Sequence, residues 1–276
     1  MKLKFTFFLI LLIAGTINSF SQKLVQKWET KRDFLKPESV IYDEANDIIY
    51  VANINGVNDE KDGNGFISKL TTAGKIKKLN WVKGLDAPKG MGIFGDKLYV
   101  SDIDKVVEID IQKGVITKSW DAPGAIFLND ITVRINGEVY VSDSHDGKIY
   151  SIINRELSLW LDNDKIESPN GLMAEGGKLL VGENSIYAVD FETKNIEVLV
   201  EEGGGIDGLE RDSKGRFVFS HWAGRIFIVK DGKTFKLWDT SNENINTADL
   251  DYAFKPGLLL VPTFSDNRVI AFKVVD

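Results

Sequence analysis

The chain of 276 residues contains no cysteine and only two histidines, His145 and His221. Without cysteine it can form no disulfide, has no thiolate chemistry, and offers no cysteine for lipid attachment after a signal sequence. It also has no Gly-x-Ser-x-Gly segment, so a Ser-His-Asp hydrolase would have no visible nucleophile. Long helical periodicity is hard to find after residue 22, and the pattern there favours strands.

Residues 1–21 have the pattern of a cleavable signal peptide. Lys2 and Lys4 precede an apolar run over residues 5–13, and small residues follow just before Gln22. The run is shorter than the ~20 residues that span a bilayer, although a retained anchor is the alternative. We therefore expect cleavage before Gln22 and export of residues 22–276 to a bacterial periplasm or to the medium.

The charge of the chain is acidic. The net charge is −7, and it is −9 for residues 22–276, because residues 1–21 contain two lysines and no acid. An acidic chain without a basic run is a poor candidate for binding nucleic acid or an anionic membrane. We expect a monomer whose partner is a small molecule or a cation, with no nucleic-acid partner and no membrane contact after signal cleavage.

A short unit recurs six times after residue 30. In each unit an apolar segment and a polar turn precede two strands rich in Val, Ile, Tyr and Phe. The second strands are predicted at residues 48–51, 97–100, 138–141, 178–181, 216–219 and 258–261. The third strands are predicted at residues 65–68, 105–108, 148–151, 185–188, 225–228 and 268–271.

Six units of about 42 residues indicate six four-stranded blades. Residues 22–276 are therefore predicted to form one all-β domain, a six-bladed β-propeller. Because the chain ends on a third strand, the sixth blade lacks its outer strand. Residues 24–29 can supply it, so that the N-terminal strand closes the ring and removes a free edge.

The residue at the start of each first strand should face the central axis. Alignment of the six units places these residues there: Glu38, Lys89, Asn129, Asn170, Asp207 and Ala248. Two carboxylates and two amides suit a hard cation, with Ca²⁺ first, Mg²⁺ and Mn²⁺ behind it, and Zn²⁺ last because the ring has neither His nor Cys. A polar, water-filled axis without an ion is the alternative. Lys89 would repel a cation, pair with a carboxylate of the ring, or hold an anionic substrate.

Four segments at blade spacing carry a resemblance to a known family. They are Pro-Glu at residues 37–38 with Tyr42, Asn-Asp at 129–130, Ser-Pro-Asn-Gly-Leu at 168–172, and Ile-Asp-Gly-Leu at 206–209. Together they resemble the family of senescence marker protein, gluconolactonase and luciferin-regenerating enzyme, over about residues 23–276. The resemblance implies a divalent metal held by Glu38, Asn170 and Asp207, with Asn129 completing the site. It also implies attack of a carboxylate or of metal-activated water on an ester-like centre.

The sequence departs from this family at residues that bear on the substrate. The family's sugar-binding Arg, two residues before Asn-Asp, is replaced by Phe127, and the aromatic residue of the first motif is Tyr42 rather than Trp. His145 and His221 follow second strands, where each is either a base or substrate contact or an ordinary turn residue. Residues 58–65 resemble a calcium loop that lacks its closing Glu, so a solvated hairpin, which could cover the channel mouth, is the expectation.

Two functions therefore stand as hypotheses. The first is a divalent-metal-dependent hydrolase of lactones or related esters, with Asp207 or Asp130 activating water and Lys89 offsetting negative charge. The second is a non-catalytic periplasmic binding or scaffold propeller that uses the same axial site.

Overall fold

A computed structural model of the chain describes residues 22–201 and 204–276. The predicted signal peptide, residues 1–21, lies outside the described residues. Within the described part of the chain, no helix is long and apolar enough to cross a membrane.

Strands make up nearly all of the regular structure. The chain begins with β1 (Lys23–Glu29) and then forms blade one from β2 (Pro37–Asp43), β3 (Ile48–Asn53), β4 (Gly65–Thr71) and β5 (Ile76–Leu85). Blade two contains β6 (Pro88–Phe94), β7 (Lys97–Asp102), β8 (Lys105–Asp110) and β9 (Val115–Asp121). Blade three contains β10 (Leu128–Val133), β11 (Val139–Asp143), β12 (Lys148–Ile153) and β13 (Glu156–Asp162).

The remaining blades repeat this order. Blade four contains β14 (Leu172–Glu175), β15 (Lys178–Gly182), β16 (Ser185–Asp190) and β17 (Ile196–Glu201). Blade five contains β18 (Leu209–Arg211), β19 (Phe217–His221), β20 (Arg225–Lys230) and β21 (Lys233–Asp239). Blade six contains β22 (Asp251–Ala253), β23 (Leu258–Pro262) and β24 (Val269–Val275), with a short 3₁₀ helix, Phe264–Asp266, between the last two.

The six antiparallel sheets of four strands form a six-bladed β-propeller, as predicted. Blade six takes its outer strand from the other end of the described chain. Strand β1 pairs antiparallel with β24, from Lys23 opposite Val275 to Glu29 opposite Ile270. The N-terminal strand therefore closes the ring, which confirms the predicted closure.

The burial of each strand follows its place in the blade. The second strands are almost fully buried, since β3 has no exposed residue along its length, whereas outer strands such as β9 expose most of theirs. Buried clusters join neighbouring blades. One of them contains Tyr50 of blade one and Leu98 of blade two, with Trp81 packed against it. The Val, Ile and Tyr residues that predicted the strands thus also form the contacts between blades.

The tryptophans of the outer strands pack within and between blades. The ring of Trp81 lies 5.0 Å from that of Tyr50, and the ring of Trp160 lies 5.9 Å from that of Phe191 in the next blade. These rings are packing contacts far from the axis.

Candidate functional site

First strands approach one another closely at the axis. A Cβ on Gly90, next to Lys89, would lie 2.4 Å from Cα of Asp130 in blade three. A Cβ on Gly171, next to Asn170, would lie 2.2 Å from the carbonyl oxygen of Asp207 in blade five. Only glycine allows this approach, so these two positions set how near the side chains of the ring come to each other.

Carboxylates at the ends of second strands position the loops that lead into the ring. Asp102 accepts a hydrogen bond from the backbone N–H of Ala87 (2.7 Å), two residues before Lys89. Asp143 accepts from the backbone N–H of Phe127 (2.9 Å) and of Ile126 (2.8 Å). Asn53 and Glu183 do the same in blades one and four. The entry to several first strands is therefore fixed by a buried side chain of the same blade.

One axial cavity of about 220 Å³ collects most of the predicted site. Seven residues named from the sequence line it: Glu38, Lys89, Phe127, Asn129, His145, Asn170 and Asp207. Four further residues line it: Ile54, Asn58, Trp222 and Phe264. Asn58 belongs to the loop between β3 and β4, so this loop reaches the cavity as the lid hypothesis requires.

The polar side of the cavity is a small set of oxygens. Asn170 donates from Nδ2 to Oδ1 of Asp207 at 3.0 Å, and Asn129 donates from Nδ2 to Oγ of Ser144 at 3.1 Å. Among the described residues no hydrogen bond is donated to Oδ1 of either amide, so both amide carbonyl oxygens are left for a ligand. Glu38 is 6% exposed, and its Oε2 is buried without a hydrogen-bond partner. An unpaired buried carboxylate oxygen is costly unless something binds to it.

Burial disfavours the charged forms of both carboxylates. Desolvation raises the pKa of Asp207 to about 7, although the hydrogen bond from Asn170 opposes the shift. Desolvation, together with the charges of Asp207 and Asp249, raises the pKa of Glu38 well above its usual range. Two buried carboxyl groups facing one cavity form an arrangement that a bound cation would stabilise.

The donor set fits a hard cation. The described residues contain no group of three or more His, Cys, Asp or Glu side chains placed to hold a metal ion. The cavity instead offers the carboxylates of Glu38 and Asp207 and the amides of Asn129 and Asn170. Oxygen donors of this kind are those that Ca²⁺ prefers. A bound cation would also compensate the buried Oε2 of Glu38, which has no hydrogen-bond partner.

Lys89 provides the positive charge of the cavity. Its side chain is almost fully buried, and Nζ donates to the carbonyl oxygen of Ala87 at 3.2 Å. The same Nζ lies 4.2 Å from the centroid of the Phe127 ring. Desolvation lowers the pKa of Lys89 to about 8, although the charge of Glu38 opposes the shift. In the described part of the chain its ammonium forms no ion pair with Glu38 or Asp207.

The two histidines occupy different environments. His145 lines the cavity and stacks on Phe127, with ring centroids 4.1 Å apart and planes 15° apart. His221 lies outside the cavity lining, where its ring packs against Phe219 (5.7 Å) and Phe227 (4.6 Å). Only His145 is therefore placed to contact a molecule in the axial cavity.

Asp130, predicted as a candidate base, faces away from this cavity. Its carboxylate accepts hydrogen bonds from the backbone N–H groups of Ile131 and Leu172, both at 2.6 Å. It lines a second cavity of about 300 Å³ on the axis. Both carboxylate oxygens are thus engaged by backbone, and the side chain holds blade three to blade four.

The second cavity contains acids that sequence reasoning missed, namely Glu210, Asp249 and Asp251. Desolvation and neighbouring carboxylates raise the pKa of Glu210 and Asp249, and desolvation raises that of Asp251 to about 7. Asp249 directly follows Ala248, just as Asp130 follows Asn129. Strand alternation therefore offered a signal, because the residue after a ring position points to the other side.

The fold and site geometry define a six-bladed β-propeller with a polar axial cavity, and several solved structures are similar to it along most of the chain. A gluconolactonase from Xanthomonas campestris has a TM-score of 0.69 at 13% identity, covering 88% of this chain and 88% of that one. A second structure, described as a gluconolactonase by family, has a TM-score of 0.67 at 14% identity, covering 92% and 93%.

A structure from another reaction class is similar to the same degree. A streptogramin B lyase has a TM-score of 0.65 at 13% identity, covering 92% of this chain and 98% of that one. The sequence matches no protein-family model and no curated protein. At these identities the similarity establishes the propeller fold and leaves the reaction to the site itself.

Proposed function

We propose that the axial cavity binds one divalent cation, with calcium as the first choice, and that the protein is a metal-dependent hydrolase of lactones or related esters. The observation that carries this proposal is the buried carboxylate of Glu38, whose Oε2 has no hydrogen-bond partner beside the equally buried Asp207. Lys89 is the positive charge in the same cavity, but it forms no ion pair with either carboxylate in the described residues, and two buried carboxylates without such a pair are well suited to a hard cation.

Glu38 and Asp207 would supply the charged ligands, and Asn129 and Asn170 would supply amide oxygens. A cation bound there would polarise a substrate carbonyl and make a water molecule more acidic. Two of the similar structures are described as gluconolactonases, which agrees with ester-like chemistry on this scaffold.

The protein's own groups provide proton transfer and charge stabilisation. Asp207 is the carboxylate in this cavity placed to accept a proton from an attacking water, because Asn170 orients its Oδ1 while Oδ2 is left for other contacts. Lys89 would donate hydrogen bonds from Nζ to the negative charge that develops on the substrate oxygen. The apolar neighbours of Lys89 exclude water and strengthen that interaction.

Metal content is the first test. Protein purified without chelator should contain about one equivalent of calcium or another divalent ion, and a Glu38→Gln, Asp207→Asn double variant should lose it. A matched control, Glu175→Gln with Asp276→Asn, removes two surface carboxylates and should keep the ion. A native protein that neither contains nor takes up a divalent ion would overturn the metal site.

Activity is tested separately with lactones and esters, in calcium and in EDTA. Turnover should require the cation, and Asp207→Ala should abolish metal binding and turnover together. Full activity of Asp207→Ala would exclude the role proposed for this residue.

The second candidate is a non-catalytic binding propeller. Lys89 within the same cavity favours it. An ammonium near the site repels a cation and weakens metal binding, and the same ammonium can bind an anionic ligand. Stabilisation of the protein by a small molecule without turnover would support this function over hydrolysis.

We also propose that the protein works outside the cytoplasm, as a monomer, after removal of residues 1–21. Mass spectrometry of the protein recovered from the periplasm or medium should find Gln22 as the first residue, and light scattering should give a monomer mass. An unprocessed chain in the cytoplasm would contradict the first of these expectations.

A further inference from the structure

Part of the cavity lining is an apolar wall, formed by Ile54 and Phe264. Ile54 and Phe264 line the cavity, and together with Ala87 and Ile103 they form a small apolar cluster. Ile54, Ala87 and Ile103 are each at most 5% exposed. Ala87 and Ile103 pack behind the two lining residues, so Ile54 and Phe264 offer a ligand apolar contact area without side-chain hydrogen-bond partners.

Two residues of this cluster have backbone conformations that their side chains disfavour. Ile103 has φ of 61° and Phe264 has φ of 42°, and neither residue is a glycine. A positive φ is unfavourable for a β-branched or bulky residue and persists where the surroundings enforce it. The fold thus holds Ile103 and Phe264 in place at a conformational cost, next to the cavity.

An aromatic side chain stands at the edge of the cavity. Trp222 is 49% exposed, and its ring meets that of Phe264 edge-on at 5.5 Å between centroids. Phe127 and His145 also line the cavity and form the stacked pair described above. A planar apolar group in the cavity would therefore have two aromatic pairs to contact, Phe127 with His145 and Trp222 with Phe264.

Lys89 has spare hydrogen-bonding capacity. An ammonium carries three N–H donors, and the structure gives Nζ one acceptor, the carbonyl oxygen of Ala87. Its other neighbour is the face of the Phe127 ring, which stabilises the charge without accepting a conventional hydrogen bond. A buried cation with unused donors favours an anionic oxygen of the ligand.

We propose that the axial cavity binds a small monocarboxylate with an aromatic or apolar body, its carboxylate on Lys89 and its body between Phe127, Trp222 and Phe264. This inference rests on the proposed function in placing the ligand in the axial cavity. It deepens that function, because such an acid is the product of hydrolysing a lactone or ester with the same body. A polyhydroxylated body would leave hydroxyl groups unpaired against the apolar wall, which opposes binding.

Three probes separate the contribution of the ligand's carboxylate from that of its aromatic body. 3-Phenylpropionate has both features, 3-phenylpropanamide has the body without the charge, and gluconate has the carboxylate on a polyol. Isothermal titration of the native protein, in calcium and in EDTA, should give binding of 3-phenylpropionate about tenfold or more tighter than that of either other probe. Gluconate binding equally well or better would overturn the proposal.

Variants assign the contacts. Lys89→Met should weaken 3-phenylpropionate binding about tenfold and leave 3-phenylpropanamide unchanged, whereas Trp222→Ala should weaken both. The matched control is Lys69→Met, because Lys69 also lies over aromatic rings, with Nζ 3.8 Å from the Trp81 centroid, but remote from the cavity. This control should bind all three probes like the native protein.

The outcomes distinguish this inference from the proposed reaction. If 3-phenylpropionate binds only with calcium and Lys89→Met has no effect, its carboxylate binds the cation. The proposed contact with Lys89 is then wrong. If the probe binds as expected but no ester is turned over, the inference stands and the hydrolase proposal fails. Should Lys89→Met not fold, the comparison of probes on the native protein still decides the ligand class.

Discussion

Asn170 donates a hydrogen bond to Asp207 at 3.0 Å, and this bond joins blade four to blade five at the axis. It orients the carboxylate while leaving the amide oxygen of Asn170 beside it. The arrangement makes Asn170 both a neighbour of the proposed cation and the group that holds Asp207 in place.

Replacement of Asn170 by Ala should therefore weaken metal binding. The variant loses one amide oxygen and frees the Asp207 carboxylate to move, and losses of this kind cost roughly 10–100-fold in metal affinity. Calcium titration monitored by calorimetry measures the change. Asn163→Ala, which removes an amide from a surface turn, is the control, and equal calcium affinity of the two variants would exclude Asn170 from the site.

The close approach at Gly171 gives a second prediction. Gly171→Ala would bring Cβ within 2.2 Å of the Asp207 carbonyl oxygen, so blades four and five must separate. Overpacking of this kind costs about 1–3 kcal/mol, and here it should also lower metal affinity. Urea unfolding measures the stability. Gly177→Ala is the matched control, because a Cβ there meets nothing within 4 Å, and it should change neither quantity.

The pH dependence of stability follows from the buried acids of the axis. Seven carboxyl groups of the described residues have raised pKa values, six of them lining the two cavities and the seventh being Asp102: Glu38, Asp102, Asp130, Asp207, Glu210, Asp249 and Asp251. A raised pKa means that protonation favours the folded state. The stabilisation is complete below the ordinary carboxyl pKa near 4 and is lost as the pH rises through the folded value, about 7 for Asp207 and Asp251.

In EDTA the protein should thus be less stable at pH 8 than at pH 5, by on the order of 3 kcal/mol. Calcium should remove part of this loss, because a cation compensates the charges of Glu38 and Asp207. Thermal unfolding at both pH values, with and without calcium, measures the effect. Asp251→Asn should reduce the pH dependence without altering the response to calcium. Greater stability in EDTA at pH 8 than at pH 5 would contradict this account.

Asp143 gives a prediction about the loop before blade three. Its carboxylate accepts hydrogen bonds from the backbone of Ile126 and Phe127, so Asp143→Ala should leave two N–H groups unpaired. We expect destabilisation of about 1–3 kcal/mol and weaker binding of 3-phenylpropionate, since Phe127 loses its support. Denaturant unfolding and calorimetry measure both. Asp146→Ala, in the following turn, should have little effect on either.

The sequence predicted the architecture well because blade strands are local. Runs such as residues 97–100 and 105–108 show their strand character in a few residues, and β7 and β8 begin at the predicted positions. The ring could be aligned for the same reason, since each member lies at a fixed place before or within a first strand. The alignment grouped Glu38, Asn170 and Asp207, and the structure places all three in one cavity.

The parts that could not be predicted depend on contacts between distant segments. Trp222 and Phe264 lie in loops of different blades and meet only in the folded ring. The direction of Asp130 depends on the backbone N–H of Leu172 in the next blade, which the sequence around residue 130 does not contain. The positions of residues that reach the cavity from loops depend on the tertiary structure. The positions of residues on strands can be predicted from the sequence repeat.

The pairing of β1 with β24 has a consequence for the order in which the ring can form. During synthesis residues 23–29 are made long before residues 269–275, so blade six cannot be completed until β24 has emerged. Until then one flank of the growing ring has an unpaired edge, and contacts this distant in sequence form slowly. A substitution that weakens β1 or β24 will therefore act on the same sheet, and the closing step joins these two distant segments of the propeller in a single event.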